Sequence, residues 1–105
     1  MANCKIEFME EVTEHKLLCA KIAYDPYATN PEYKKCFKLR IGFSITEYNN
    51  FLNQLDFEYD DSYGAPELFG IIWYEDGTWS ERYYGGDGDE CWEYKQCPEI
   101  PKELT

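Results

Sequence analysis

The first 43 residues contain three runs in which hydrophobic and polar residues alternate. This period of two is typical of half-buried strands, and it predicts strands over residues 4–8, 18–24 and 36–43. The first two runs flank the polar segment 13–15, which predicts a β-hairpin. Segment 25–35 contains Pro26, Asn30 and Pro31 and is predicted to be a loop.

A helix is predicted over about residues 45–56. Ser44 and Glu47 have the S-x-x-E spacing of a capping box, which satisfies free N–H groups at the start of a helix. The apolar residues that follow recur at i, i+3, i+4 and i+7, as on one face of a helix: Tyr48, Phe51, Leu52 and Leu55.

The second half of the chain is predicted to be mostly strands. Leu68 to Tyr74 is a β run, and Asp76-Gly77 is typical of a two-residue type I′ turn, which would place Tyr74 opposite Trp79. The returning strand extends to residue 84, a glycine-rich turn follows, and a last strand covers 91–95. Residues 56–67 are either a short edge strand or an ordered loop.

The predicted order is β-β-β-α-β-β-β in a single domain, residues 1–105. It defines an α+β fold: a mostly antiparallel sheet of about six strands with one helix packed on one face. The pattern does not fix which face the helix covers. One face of the central hairpin would carry Phe69, Ile71, Trp73, Ser80, Arg82 and Tyr84, and the other Ile72, Tyr74, Trp79, Glu81 and Tyr83. The face that the helix leaves uncovered is then a partner site or a dimer interface, or its aromatic residues simply pair across strands and stabilise the hairpin.

Charge is distributed unevenly along the chain. The net charge is -11, and residues 56–105 hold 14 acids against three bases, whereas the first 55 residues balance. Because phosphates are bound by lysine and arginine, this composition argues against direct nucleic-acid binding. An acidic field instead attracts cationic partners, although acidity also serves solubility.

Little in the sequence points to catalysis or to a bound cofactor. His15 is the single histidine, no Walker, dinucleotide-binding or nucleophile-elbow motif occurs, and the five cysteines lack metal-site spacing. We therefore expect no enzyme activity, no catalytic residues, no cofactor and no metal. The start of the chain has no apolar signal region and the chain no spanning segment, which predicts a cytoplasmic protein with free thiols. Whether Cys91 and Cys97 pair is left open.

The last third of the chain resembles a module of small bacteriophage-encoded proteins. The shared features are a D-G-[ST]-W turn, here Asp76-Gly77-Thr78-Trp79, and a W-E-Y-K-x-C-P-x-I-P ending, here residues 92–101. The resemblance implies a phage accessory protein that acts in the cytoplasm of the infected cell, and such proteins often block host defences. It implies no catalytic residues.

Charge and resemblance together predict an inhibitor that resembles DNA electrostatically and binds a basic, nucleic-acid-binding surface of a host defence complex, such as a CRISPR effector. The alternative is an accessory module that binds a protein partner, or itself, by its aromatic sheet face. The candidate partner-binding residues are acids with aromatic anchors: Asp56, Glu58, Tyr59, Asp60, Asp61, Tyr63, Glu75, Asp76, Trp79, Glu81, Tyr83, Asp87, Asp89 and Glu90.

Overall fold

The computed structural model describes residues 2–25, 34–59, 67–84 and 90–104. Within these ranges, two helices, seven strands and one short 3₁₀ helix follow the chain in this order: β1 (Ala2–Asn3), α1 (Cys4–Val12), β2 (Leu17–Tyr24), β3 (Lys35–Leu39), α2 (Ile45–Gln54), β4 (Glu58–Tyr59), β5 (Leu68–Tyr74), β6 (Trp79–Tyr84), β7 (Glu90–Lys95) and the 3₁₀ helix Lys102–Leu104. Neither helix in the described part of the chain is long and apolar enough to cross a membrane.

Five of the strands form one antiparallel sheet in the order β3-β2-β5-β6-β7. Both helices lie on the same face of this sheet, since the apolar side chains of α1 and α2 share one core with the inward residues of β2, β3 and β5. Phe8 of α1 and Phe51 of α2 meet edge to face, with ring centroids 5.3 Å apart. The prediction of an α+β fold with a mostly antiparallel sheet is confirmed. Within the described residues, no helix lies over the opposite sheet face.

The predicted first strand is wrong, because residues 4–12 form helix α1. Cys4, Phe8 and Val12 recur every four residues and are buried, whereas Ile6 is 55% exposed. The side chain of Asn3 accepts a hydrogen bond from the Ile6 N–H, 3.0 Å away, and so caps the helix. The first predicted hairpin is therefore a helix followed by a strand.

Helix α2 confirms the prediction from the capping box. The Ser44 hydroxyl accepts a hydrogen bond from the Glu47 N–H at 3.1 Å, and Phe51, Leu52 and Leu55 are buried. Glu47 also receives two hydrogen bonds from Arg40, at 2.9 and 3.0 Å, and this contact is the largest cause of its lowered pKa. β3 ends at Leu39 instead of residue 43, because the chain turns at Ile41 and Gly42, where Gly42 has a φ of +82°.

A two-stranded ribbon ties the start of the chain to the segment after α2. Ala2 pairs with Tyr59 and Asn3 with Glu58, and the Cys4 N–H donates to the Phe57 carbonyl at 2.9 Å. Residues 56–59 are thus partly the short edge strand that the sequence allowed. The rest of that segment, residues 60–66, lies outside the described residues, as do most of the predicted loop 25–35 and the glycine-rich turn 85–89.

The β5–β6 hairpin differs from its prediction by one residue in register. Trp73 pairs with Trp79, and the Tyr74 N–H bonds the Thr78 carbonyl, so the loop holds three residues, 75–77, instead of two. Gly77 occupies its last position at φ +88°, as in a type I turn followed by a glycine bulge. A shift of one residue exchanges the two faces of a strand. Ser80 and Arg82 of β6 consequently face the core, and Trp79 faces away.

Replacing Gly70 by alanine is expected to destabilise the protein. Gly70 lies in the central strand β5 at φ +156°, and an added Cβ would lie 2.6 Å from the backbone oxygen of Lys21 on β2. The neighbouring backbone cannot move without loss of sheet hydrogen bonds, so we expect a loss of about 1–3 kcal/mol in the free energy of unfolding. Urea denaturation measures it, with Gly42→Ala as the comparison: Gly42 also has a positive φ, of +82°, but no atom lies near its Cβ position. Equal losses in the two variants would contradict a steric cause.

Candidate functional site

The sheet face opposite the helices, here called the open face, carries three rows of side chains across five strands. The strand registers align Lys38, Lys21, Ile71, Glu81 and Glu93 in the middle row, from β3 to β7. Two residues further along each strand lies the row Cys36, Ala23, Phe69, Tyr83 and Cys91. On the other side lies the row Cys19, Trp73, Trp79 and Lys95. The face is therefore apolar along its central strand and charged toward both edges.

Large aromatic side chains of the open face are in contact with solvent. Phe69 is 42% exposed, Trp73 38% and Tyr83 50%, while Trp79 is half-buried. A depression of about 300 Å³ lies between β2 and β5, beside the small Ala23 and Gly70, and is lined by Lys21, Ala23, Phe69, Gly70, Ile71 and Trp73. Exposed aromatic surface of this kind is typical of sites that bind another macromolecule.

Apart from Lys95, the charged residues of the open face form two pairs of like sign. Lys21 lies directly opposite Lys38, and Glu81 directly opposite Glu93. Lys95 lies 2.5 Å from Glu81 and 3.8 Å from Glu93, and its hydrogen bond to Glu81 raises the pKa of the Lys95 amine. Among the described residues, no acid forms an ion pair with Lys21 or Lys38.

A second surface, here called the acidic end, lies where the end of α1 meets the β5–β6 turn. Two adjoining depressions there share Glu14 and His15. The His15 ring stacks between Tyr74 and Tyr94, at centroid distances of 4.3 and 4.5 Å. The depressions are lined by five carboxylates and one lysine: Glu10, Glu11, Glu14, Glu75, Asp76 and Lys16. Within the described ranges, none of these carboxylates is ion-paired with a lysine or arginine.

Asp76 and Glu11 also have structural roles at the acidic end. The Thr78 hydroxyl and N–H both donate to Asp76, at 2.5 and 3.0 Å, and these bonds hold the pKa of the Asp76 carboxyl below its usual range. The buried Ser80 hydroxyl donates to Glu11 at 2.6 Å and also contacts the Tyr74 hydroxyl at 2.7 Å. Glu10, Glu14 and Glu75 are exposed to solvent.

A buried polar network lies between the sheet and α1. Arg82 donates from Nη2 to the Tyr59 hydroxyl at 3.0 Å and to Glu90 at 3.3 Å, and its guanidinium also lies 5.2 Å from the Trp92 ring centroid. Tyr59 donates to Glu7. Burial, followed by this bond to Glu7, raises the pKa of Tyr59 well above its usual value. The network therefore holds the positive charge of Arg82 inside the protein, next to the Glu90 carboxylate.

Cys4, beside this network, is fully buried, and burial raises the pKa of its thiol to about 12. Cys4 is therefore a protonated thiol at neutral pH and a poor nucleophile. Cys91 and Cys97 are both free thiols. Within the described residues, no three His, Cys, Asp or Glu side chains are close enough together to hold a metal ion.

The structure divides the predicted partner-binding residues among several places. Trp79, Glu81 and Tyr83 lie on the open face, and Glu75 and Asp76 at the acidic end. Asp56 and Glu58 are exposed near the β1–β4 ribbon, where Asp56 accepts a hydrogen bond from the Asn3 amide at 3.2 Å. The remaining members of the predicted set that the sequence placed in loops lie outside the described residues: Asp60, Asp61, Tyr63, Asp87 and Asp89.

Two of the predicted partner-binding residues do not fit that role. Tyr59 is 1% exposed and Glu90 7%, because both serve the network around Arg82. Sequence reasoning took Tyr59 for a surface anchor because it stands among acids, and Glu90 for part of an acidic turn. The burial of Arg82, which follows from the corrected hairpin register, draws both side chains inward.

Sequence reasoning also missed residues on both surfaces. Glu10, Glu11 and Glu14 stand in the electrically neutral half of the chain, and the folding of α1 against the hairpin brings them to Glu75 and Asp76. The feature of the sequence that could have revealed them is the acidic run at and just after the end of α1. On the open face, Lys21, Lys38 and Glu93 form one row with Glu81 only through strand order, which no local pattern records.

Comparison with known proteins identified no relatives. No protein-family model matches the chain, and no curated protein and no solved structure resembles it significantly. The resemblance to phage-encoded proteins therefore stays a prediction from the sequence.

Proposed function

We propose that this protein is a non-enzymatic inhibitor that binds the basic, nucleic-acid-binding surface of another protein through its acidic end. The observation that supports this proposal most directly is the group of five carboxylates contributed by the end of α1, by the turn that follows it and by the β5–β6 turn. None of them has a lysine or arginine ion-pair partner in the part of the chain that the structure describes.

Electrostatics explains why such a surface would compete with nucleic acid. Channels that bind DNA carry lysine and arginine to neutralise about one phosphate per 1.7 Å of duplex axis, and another array of negative charges can occupy them. Glu10, Glu14 and Glu75 would orient the complex and speed its formation. Tyr94, which is 40% exposed and stacked on His15, would add apolar contact.

The resemblance of the last third of the chain to phage proteins suggests where the partner belongs. Phage-encoded inhibitors act in the cytoplasm of the infected cell, so the proposed partner is a host defence complex that handles nucleic acid, such as a CRISPR effector. A partner of this kind would be a basic protein or a ribonucleoprotein, and the inhibitor itself would need no cofactor.

The proposal predicts binding that depends on salt and on specific carboxylates. We expect the immobilised protein to retain basic proteins from a bacterial host lysate, and to release them as salt rises from about 50 to about 200 mM. A short DNA duplex should displace them. The double variant Glu14→Gln/Glu75→Gln should reduce retention about tenfold, whereas Glu99→Gln/Glu103→Gln, with the same net charge, should not.

Equal retention by the two double variants would contradict a role for the acidic end. The same experiment tests the second candidate, a protein partner bound by the open face, which the exposure of Phe69, Trp73 and Tyr83 favours. In that case Trp79→Ala and Tyr83→Ala would abolish retention, and the glutamate variants would have little effect. If none of the retained proteins is basic, the inhibitor proposal is contradicted.

A further inference from the structure

We propose that the open face is the interface of a two-fold symmetric homodimer, in which strand β5 of one copy packs along β5 of a second copy. This inference goes beyond the proposed function and uses a different surface. It rests on the arrangement of charges in the middle row of the open face and on the shapes of the rows beside it.

The charged pairs of the middle row are unfavourable within a single copy. Like charges directly opposite each other across neighbouring strands destabilise a sheet, and the row contains Lys21 opposite Lys38 and Glu81 opposite Glu93. Lys95 partly compensates the two glutamates. The two lysines have no acidic ion-pair partner among the described residues, so this half of the face has an unmatched positive charge.

A two-fold axis parallel to β5 matches these charges between copies. It exchanges the β2–β3 side of the face with the β6–β7 side, so Lys21 faces Glu81 of the second copy and Lys38 faces Glu93 of the second copy. Ile71, at the centre of the row, faces its own equivalent. An axis perpendicular to the strands would instead place each lysine against the same lysine. The charge row therefore selects one of the two symmetric arrangements.

The same axis places small side chains opposite large ones. Cys19 faces Trp79 of the second copy, and Ala23 faces Tyr83 of the second copy. The depression of about 300 Å³ beside Ala23 is open to receive the Tyr83 ring, which is 50% exposed in one copy. Because a two-fold interface uses every contact twice, two such rings would fill two depressions.

The size of the face is sufficient for a specific but weak dimer. Five strands about 4.8 Å apart and about six residues long give a surface of about 24 Å by 20 Å. Burying it in both copies removes on the order of 1,000 Å² from solvent, at the low end for specific interfaces. We expect a dissociation constant on the order of micromolar.

Thiol cross-linking tests the orientation directly. Cys36 and Cys91 are exposed at opposite edges of the sheet, about 19 Å apart across four strand spacings. In the proposed dimer, Cys36 faces Cys91 of the second copy across sheets about 10 Å apart. A bis-maleimide that spans about 12 Å should therefore give a covalent dimer joined Cys36 to Cys91, in a Cys97→Ser background that removes the tail thiol. Cys36→Ser or Cys91→Ser should greatly reduce it.

Charge reversal supplies an independent test that controls for folding. Lys38→Glu and Glu93→Lys should each weaken self-association at least about tenfold, because like charges then face each other in both halves of the interface. A mixture of the two variants should restore a dimer that contains one copy of each. Lys16→Glu, the same change at the acidic end, should leave self-association unchanged. Sedimentation velocity and native mass spectrometry measure these populations.

Three results would overturn the proposal. The first is a wild-type protein that stays monomeric up to several hundred micromolar. The second is a cross-linked dimer joined only Cys36 to Cys36 or Cys91 to Cys91, because an axis parallel to β5 keeps these pairs on opposite edges of the interface. The third is a mixture of Lys38→Glu and Glu93→Lys with no preference for the mixed dimer. None of these results bears on the acidic end, whose carboxylates are not part of the interface.

Discussion

Replacing Phe8 by alanine is expected to lower the free energy of unfolding by about 3–5 kcal/mol. Phe8 is fully buried on α1, its ring packs on Phe51 of α2, and its removal leaves a cavity between the helices and the sheet. Ile6, two residues earlier, is 55% exposed, so Ile6→Ala should change stability by no more than about 0.5 kcal/mol. Urea denaturation monitored by circular dichroism measures both.

This pair of variants distinguishes the helix from the strand that alternation predicts. In a strand, Ile6 and Phe8 would face the same side and both would be costly to truncate. Similar losses in Ile6→Ala and Phe8→Ala would therefore contradict helix α1. Since small domains are stable by only about 5–15 kcal/mol, Phe8→Leu provides a milder variant, with an expected loss of about 1 kcal/mol.

Replacing Glu90 by glutamine is expected to cost about 3–5 kcal/mol, because it leaves the charge of Arg82 buried without its counterion. The side chains of Arg82 and Glu90 are 5% and 3% exposed, and Nη2 lies 3.3 Å from Oε2. Glu90 also accepts a hydrogen bond from the Glu67 N–H at 3.2 Å. Arg82 already has two nitrogens, Nε and Nη1, that are buried without a hydrogen-bond partner. Loss of the carboxylate would add to that cost.

A double variant tests whether the loss of stability comes from the uncompensated charge of Arg82. Arg82→Met/Glu90→Gln removes both charges and should be more stable than Glu90→Gln alone, because no uncompensated charge stays inside. Glu93→Gln, on the same strand, serves as the control. Glu93 lies on the open face, and its only ion pair among the described residues, with Lys95, is 3.8 Å long. A Glu90→Gln loss no larger than that of Glu93→Gln would show that the pair contributes little.

Much of the fold follows from local patterns in the sequence. The Ser44 cap and the Phe51, Leu52 and Leu55 stripe define α2, and the bounds of β5 match the predicted run Leu68 to Tyr74. The prediction of a strand over residues 4–8 was wrong because Cys4 and Phe8 fit both a period of two and a period of four. The cap by Asn3 and the buried Val12 favour the helix. The mostly polar residues between Phe8 and Val12 make the spacing of four hard to see in the sequence.

The candidate site was harder to predict, since it depends on register and tertiary contact. The Asp76-Gly77 pair suits a two-residue turn, and only the backbone hydrogen bonds show that Glu75 belongs to the loop. That single residue decides that Trp79 and Tyr83 face outward while Arg82 faces inward. The charge excess of residues 56–105 was a poor guide to the surface, because part of that charge is buried with Glu90 and part of the acidic end comes from Glu10, Glu11 and Glu14.

The three-residue loop at 75–77 also constrains how this protein can evolve. Loss of one codon there would leave a workable two-residue turn, yet it would turn β6 over: the hydroxyl of Ser80 and the guanidinium of Arg82 would reach water, and the indole of Trp79 would enter the core. Substitutions can alter this hairpin gradually, whereas a change in its length inverts it in one step. Homologues should therefore vary in the identity of residues 75 and 76 far more readily than in their number.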